Sequence, residues 1–527
     1  MSCVSPSMPK AIIAAICAAV LPASVLAQTV VQTDLGPVRG ADAQGLSQFD
    51  GIPYAAPPVG PLRWQPAAPA TPWTSPRDAT AFGAICPQPA SPGHGAAPQS
   101  EDCLTLNVVT PDAKAVKKLP VIVVMHGGAF FVGSGREVLE RGVPSIVKRG
   151  VVLVSPNYRL GRLGFFAHPA LKAEADAKGQ GTANYWLTDQ VAALQWVKRN
   201  IARFGGDPSN VTIMGCSAGG SSIAGLVGAP AAQGLFQKAS VHSGGLLFST
   251  TAAWPQAQQL GLAFAGRVGV KDDSAAGLAQ LRGLSFQQVL AGDPGAPDFR
   301  AIVDGKDLPQ TLAQLYAQGR MAHVPMIAGS TSNEASIFGL MGFDKAEIER
   351  RFGIDLDALR APYGVNGPLS DAELLRQVQT DFIFTAGAMA MGSLVAKTGA
   401  PAWTYNFDYV DTARRGTVPG ASHCADWPYL FDGSSFGAVK APSAQDRALA
   451  RQMQDYLYNF VTKGDPNAAG LPAWPRITPG SIDPLLIGTQ VRAVPDFRRS
   501  QLQPWFAKWE KENGMALGMG TPAGGGQ

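Results

Sequence analysis

Charge is sparse in this chain. Asp, Glu, Lys and Arg make up only 16% of its 527 residues, and 43 basic against 39 acidic side chains leave a formal net charge of +4. No stretch concentrates Lys and Arg into a patch, so a nucleic-acid partner is not expected. Downstream of the N-terminus, no apolar run approaches the roughly 20 residues that a spanning helix needs, which argues against stable membrane insertion. Cysteine and histidine are scarce, at six residues each. No two cysteines show the close Cys-x-x-Cys spacing that zinc sites favour, so neither a metal nor another cofactor is expected. Internal repeats are absent, and nothing in the sequence sets an oligomeric state.

What the chain has in quantity is apolar. A hydrophobic content of 46% suits a sizeable buried core. The length could hold several domains, but large α/β enzymes often run as one. At the N-terminus, Lys10 precedes an apolar stretch from Ala11 to Leu21, and Val25-Leu26-Ala27 then offers a small-residue cleavage site before Gln28. Residues 1–27 are therefore expected to be a signal peptide and the protein to be secreted or periplasmic. Cleavage would remove Cys3 and Cys17 and leave Cys86, Cys103, Cys216 and Cys424. An even count in an exported chain implies disulfides, with three connectivities open at this point. The folded domain is expected over 28–517, and a glycine-rich, disordered tail over 518–527.

Along the chain, 29–54 reads as short strands, 57–98 as an irregular Pro-rich wrap, and 100–111 as a strand with alternating burial. The segment 119–135, an uninterrupted apolar strand running into a glycine loop, and the similar strand 151–161 suit central strands buried on both faces. Leu187, Val191, Leu194, Val197 and Ile201 recur at helical spacing, and Gly205-Gly206-Asp207-Pro208 ends that helix. Further strand-to-loop units follow at 239–245 and 324–336, with a late strand at 401–410 and a late helix at 447–467. Strands alternating with helices imply a mostly parallel sheet covered on both faces. Two helical stretches, 252–290 and 344–397, read as insertions that form a cap.

The chain is organised around Asn210–Gly220, NVTIMGCSAGG. A short apolar strand runs into Gly215-Cys216-Ser217-Ala218-Gly219, and small residues then open a helix. Strand, sharp Gly-x-Ser-x-Gly turn and helix lift a serine Oγ clear of the backbone, as a nucleophile requires. The same pattern recurs at Gly433-Ser434-Ser435-Phe436-Gly437, where no strand precedes it and a loop is expected.

Further segments carry a resemblance: EDCLTLNV, HGGAFFVGSG, NYRLGRLGFF, the long run from Leu187 to Gly215, SAGG, GSTSNEAS, ASHCADWPYLF and NFVTKGDPN. In these segments and their order the chain resembles the type-B carboxylesterases, the family that includes the cholinesterases. The resemblance implies an α/β-hydrolase fold and hydrolysis of a small-molecule ester. It also implies a triad of Ser217 as nucleophile, Glu334 as orienting acid and His423 as general base, in the chain order this fold uses. An oxyanion hole is implied at the N–H groups of Gly128 and Ala129, joined by Ala218 immediately after the nucleophile. His126 reads as structural, while His94, His168, His242 and His323 have no partner motif.

Two positions depart from the family pattern: Cys216 stands where Glu is common, and Cys424 where Gly is common. Ser217 and His423 have to meet, so their neighbours can reach disulfide distance. A Cys216–Cys424 pair in that place resembles feruloyl esterases and tannases, and Cys86–Cys103 resembles the family's N-terminal disulfide loop. Phe130, Phe131, Phe248 and Trp427 lie near the site in sequence and are candidate pocket walls. Short-chain or aromatic esters are the expected substrates. Feruloyl-esterase or tannase-like activity is the alternative, and a non-catalytic cholinesterase-like binding domain a remote one.

Overall fold

The computed structural model describes residues 27–519 except 44, 91–96, 114–117, 140–144, 246, 249–250, 294–298, 341–342 and 432–441. Residues 1–26 of the expected signal peptide, His94, the second Gly-x-Ser-x-Gly match and residues 520–527 of the expected tail lie outside the described residues. Gly518 and Met519 are placed; Met519 is buried and its carbonyl accepts from Arg499 at 3.2 Å, so the packed chain runs on to that point.

One sheet dominates. In chain order its strands are β1 (Ala27–Gln32), β2 (Pro37–Ala43), β3 (Leu46–Pro53), β4 (Arg77–Asp78), β5 (Thr105–Thr110), β6 (Leu119–Met125) and β7 (Val152–Pro156). They continue with β8 (Gly206–Cys216), β9 (Lys238–His242), β10 (Met326–Thr331), β11 (Ala402–Phe407), β12 (Leu485–Ile487) and β13 (Val491–Ala493). The spatial order is β1-β2-β3-β5-β7-β6-β8-β9-β10-β11-β12-β13, with β4 beside β2. From β7 to β12 every neighbouring pair is parallel, and both margins turn antiparallel. This is the α/β-hydrolase fold expected from the sequence.

The period-2 alternation of a strand divides each central strand between two cores. On β6, Val121, Val123 and Met125 face one apolar cluster, while Ile122 and Val124 face the other. The first cluster is roofed by the helices Tyr185–Asn200 and Ala218–Gly228, the second by Ala444–Lys463. All five of these β6 side chains are fully buried, each worth about 1.5–3 kcal/mol of transfer free energy.

The alternating burial expected of β5 is not found. Leu106 to Thr110 are all buried, because Leu106 and Val108 pack into one core and Val109 into the other. The helix over Leu187 and Val191 ends at Asn200 and closes through a tight 3₁₀ turn, Ile201–Phe204, before Gly205 in the left-handed region.

The expected insertions are helical where described. They include Trp254–Arg267, Ala275–Arg282, Phe286–Ala291, Lys345–Phe352, Asp371–Thr380 and Ala386–Lys397. Among the described residues, no helix is long and apolar enough to cross a membrane. Because the central strands are parallel, β6, β8, β9, β10 and β11 all end at one edge of the sheet. That edge is where open α/β sheets place their ligands.

Candidate active site

Ser217 follows β8 and precedes the helix Ala218–Gly228, with φ 62° and ψ −124°. A non-glycine residue held there costs on the order of 1–3 kcal/mol, so its surroundings have to over-determine it. They do: the Ser217 N–H donates to the His242 carbonyl at 3.0 Å, and the glycines on either side allow very close packing. A Cβ on Gly219 would stand 2.1 Å from the Met125 carbonyl oxygen, and one on Gly215 2.5 Å from the Gly219 carbonyl carbon. Only the Gly-x-Ser-x-Gly spacing lets β6, β8 and the helix converge on this point.

The loop after β6 supplies the facing wall. Gly128, Ala129 and Phe130 take φ values of 104°, 52° and 62° in succession. The N–H groups of Phe131 and Val132 both donate to the Gly128 carbonyl, at 2.9 and 3.0 Å. Among the described residues no hydrogen bond occupies the N–H groups of Gly128, Ala129 or Ala218. Gly128 tolerates no side chain, since a Cβ would lie 2.1 Å from the Val132 carbonyl oxygen.

The ends of this loop are braced. The His126 ring stacks on Tyr158 at 4.2 Å, and the Tyr158 hydroxyl donates to the His126 carbonyl. Gln88 exchanges two hydrogen bonds with Gly133, at 2.8 and 3.0 Å. Gln88 sits two residues from Cys86, which is bonded to Cys103, so that disulfide steadies the strap under the loop.

Glu334 follows β10 and is fully buried. Its Oε1 accepts from the Ser243 hydroxyl and the Thr331 N–H, both at 2.6 Å, and its Oε2 pairs with His423 Nδ1. His423 arrives on the loop after β11. Its N–H donates to Ser336 Oγ at 2.9 Å, and neighbouring Ser422 forms a bridge with Asn333. With Nδ1 engaged, Nε2 is buried and has no partner among the described residues. This is the nitrogen that a general base offers to a serine, and such contacts often close only when substrate is bound. Ser217 and His423 each adjoin a half-cystine of the Cys216–Cys424 bond, whose Cα atoms are 6.1 Å apart.

Both disulfides match the expected pairs. Cys216–Cys424 closes a span of 208 residues. The chain-entropy model assigns such a loop about 4–5 kcal/mol, as an upper figure. Replacing both cysteines by serine is expected to lower the denaturant midpoint and to steepen the slope, because the unfolded chain loses its cross-link and exposes more surface. An unchanged midpoint, or a free thiol at Cys216 in peptides mapped without reduction, would contradict this.

The aromatic candidates separate. Phe130 is a core residue, buried against Phe165 and Trp186, and Trp427 is buried against His242 and Phe431. Neither can present a face to substrate, so both are corrected from pocket wall to core. Phe131 and Phe248 are partly exposed, and Phe248 leans on Phe506 and Trp509. The aromatic ring against the base is Phe384, 5.1 Å from the His423 ring and half-buried. It stands on a π-helical turn, Asp381–Thr385, a widened turn frequent at functional sites. Sequence periodicity gives no sign of it.

A second correction concerns His242. The sequence shows no partner motif, yet its Nδ1 lies 2.7 Å from Asp426 Oδ2 and its Nε2 2.8 Å from Ser240 Oγ. Ser243, which supports Glu334, was also missed. The one signal for it is its place just past the end of β9, at the same edge as the other site residues. His168 caps the helix Pro169–Lys178, and His323 bonds to the Gly319 carbonyl, both away from this cluster.

A strained serine at a strand–helix elbow, a buried carboxylate–histidine pair and a loop of open N–H groups thus stand on the α/β-hydrolase sheet. The carboxylesterase family model matches residues 27–362 and 367–505, and the chain belongs to that family. It is a carboxylic ester hydrolase. It is 34% identical over 507 residues to the para-nitrobenzyl esterase of Bacillus subtilis strain 168, covering 90% of this chain and 98% of that one. It is 33% identical over 466 residues to the fumonisin B1 esterase of Sphingopyxis macrogoltabida, covering 85% and 84%. A solved carboxylesterase structure from Geobacillus stearothermophilus superposes with a TM-score of 0.78 at 31% identity, covering 90% of this chain and all of that one.

Proposed function

We propose that the protein is an exported serine carboxylesterase that works through Ser217, His423 and Glu334 and prefers short-chain or aromatic esters. The observation that carries this reading is the Glu334–His423 pair, whose outer nitrogen lacks a partner among the described residues beside the Ser217 elbow. Ser217 Oγ attacks the ester carbonyl carbon while His423 Nε2 takes its proton. The oxyanion that forms is held by the N–H groups of Gly128, Ala129 and Ala218. His423 then gives the proton to the departing alkoxide, leaving an acyl-serine and a free alcohol. Water, deprotonated by His423, attacks the acyl carbon and releases the acid, and the proton returns to Ser217. Export is supported by the two disulfides, which persist in oxidising compartments.

Three features support the substrate preference. Phe384 lies against His423, and Phe131 and Phe248 are partly open, so flat groups have faces to stack on. A relative sharing 34% of the sequence is named for a para-nitrobenzyl ester, whose alcohol is aromatic. The Cys216–Cys424 bond beside both catalytic residues favours hydroxycinnamate or gallate esters within this class, by its resemblance to feruloyl esterases and tannases. The test is kcat/KM across p-nitrophenyl acetate, butyrate and palmitate, methyl ferulate and methyl gallate, and a long-chain triglyceride. Short-chain and aromatic esters are expected to lead, with little turnover of the triglyceride. A profile rising steadily with acyl length, with aromatic esters poor, would overturn the preference.

A further inference from the structure

Next to the elbow lies a second hydrogen-bonded string of serine, histidine and aspartate that takes no part in the steps above. Ser240 Oγ meets His242 Nε2, and His242 Nδ1 meets Asp426 Oδ2. The Tyr405 hydroxyl closes the group, 2.6 Å from both Asp426 Oδ2 and His242 Nδ1. All four residues are buried, with Asp426 at 0% exposure, so no ester reaches Ser240 and the string is not a second hydrolytic centre.

Its position gives it a different use. Cys216 and His242 stand opposite each other in the β8–β9 register, and the His242 carbonyl holds the Ser217 N–H. Asp426 lies three residues after His423, in a turn closed by the Ala425 N–H on the Ser422 carbonyl and the Trp427 N–H on the Cys424 carbonyl. The Trp427 ring stands edge-on to His242 at 5.5 Å. His242 therefore holds the nucleophile's backbone through its carbonyl and the base-bearing loop through its imidazole. The Cys216–Cys424 bond makes the same connection covalently, one residue from each catalytic group.

Burial would push the Asp426 carboxyl up, but the hydrogen bond and charge of His242 and the Tyr405 hydroxyl outweigh it and hold it below the ordinary range. Burial and the Asp426 charge push the Tyr405 hydroxyl well up, so it stays a donor. Among the described residues Asp426 Oδ1 has no side-chain partner, which makes this an expensive way to close a turn that apolar packing could close as well.

We propose that His242 and Asp426, with Tyr405, are positioning residues for the ester hydrolysis. They form a polar strut that fixes the His423 loop against the Ser217 elbow in parallel with the disulfide, so that each connection covers for loss of the other. The inference rests on the Ser217–His423 reading.

The experiment is a double-mutant cycle. Asp426→Asn is made in the native chain and in Cys216→Ser/Cys424→Ser, and kcat and KM on p-nitrophenyl acetate are measured separately. With the disulfide present, kcat is expected to fall only several-fold. Without it, Asp426→Asn is expected to lower kcat by a further factor of about 100, the usual consequence of misplacing reacting groups by an ångström, with KM essentially constant. His242→Gln, which can still donate to Asp426, is expected to lose less than His242→Leu. The same factor in both backgrounds, or a change confined to KM, would overturn the proposal. If the disulfide-free Asp426→Asn chain does not fold by circular dichroism, Tyr405→Phe replaces it in the same cycle under the same criterion. Failure of the triad reading looks different: Ser217→Ala would then turn over substrate. The strut fails when Ser217→Ala is inert and kcat shows no coupling to the disulfide.

Discussion

Ser217→Ala is expected to lower kcat on p-nitrophenyl acetate by a factor on the order of 10⁵–10⁶, as removal of a triad nucleophile does elsewhere. The fold should survive, because the elbow is held through the Ser217 N–H, the flanking glycines and the disulfide, and none of these uses the hydroxyl. The melting midpoint should stay close to that of the native protein. His423→Ala should be as severe in kcat. Its removal leaves Glu334 with two donors, Ser243 and Thr331, so the buried carboxylate is not stranded. A Ser217→Ala protein with near-native turnover would remove Ser217 from the mechanism.

Glu334→Gln should cost about 10⁴ in kcat with KM little changed, and the reason lies in the carboxylate's partners. Oε1 accepts from the Ser243 hydroxyl and the Thr331 N–H, so a glutamine would keep its oxygen there and turn its amide N–H toward His423. The imidazole would then have to accept at Nδ1 and carry its proton on Nε2, the tautomer that cannot take a proton from Ser217. Ser243→Ala in the Glu334→Gln background should recover little of the loss, because the Thr331 N–H still holds the amide oxygen in place. Steady-state kinetics on the single and double variants checks both statements. A Glu334→Gln enzyme within tenfold of native kcat would contradict the assigned orientation.

The triad candidates were legible because each sits in a local pattern with a mechanism. Ser217 occupies a glycine-flanked turn after an apolar strand, Glu334 lies just past another strand, and His423 falls between a late strand and a late helix. Parallel strands then carry all three to one edge. What stayed hidden depends on side-chain direction and long-range packing. Phe130 and Trp427 stand beside site residues in the chain, yet both turn into the core. Phe384 reaches His423 only because a π-helical turn re-aims it, and hydrophobic spacing does not encode that extra residue. His242 and Asp426 are 184 residues apart and meet only after β9 and the His423 loop are in place. The strand β5 was misread for a related reason: alternation marks a sheet with one wet face, and this sheet has none at that point.

The most direct measurement is to trap the acyl-enzyme. Native protein is mixed with excess p-nitrophenyl acetate, quenched in acid within the first turnovers, digested and mapped by mass spectrometry. The account expects one acetyl group on the peptide carrying Ser217, formed in step with a burst of nitrophenol and absent from Ser217→Ala. Acetyl on a different residue, or full turnover with no acylated peptide in any quench, would contradict it.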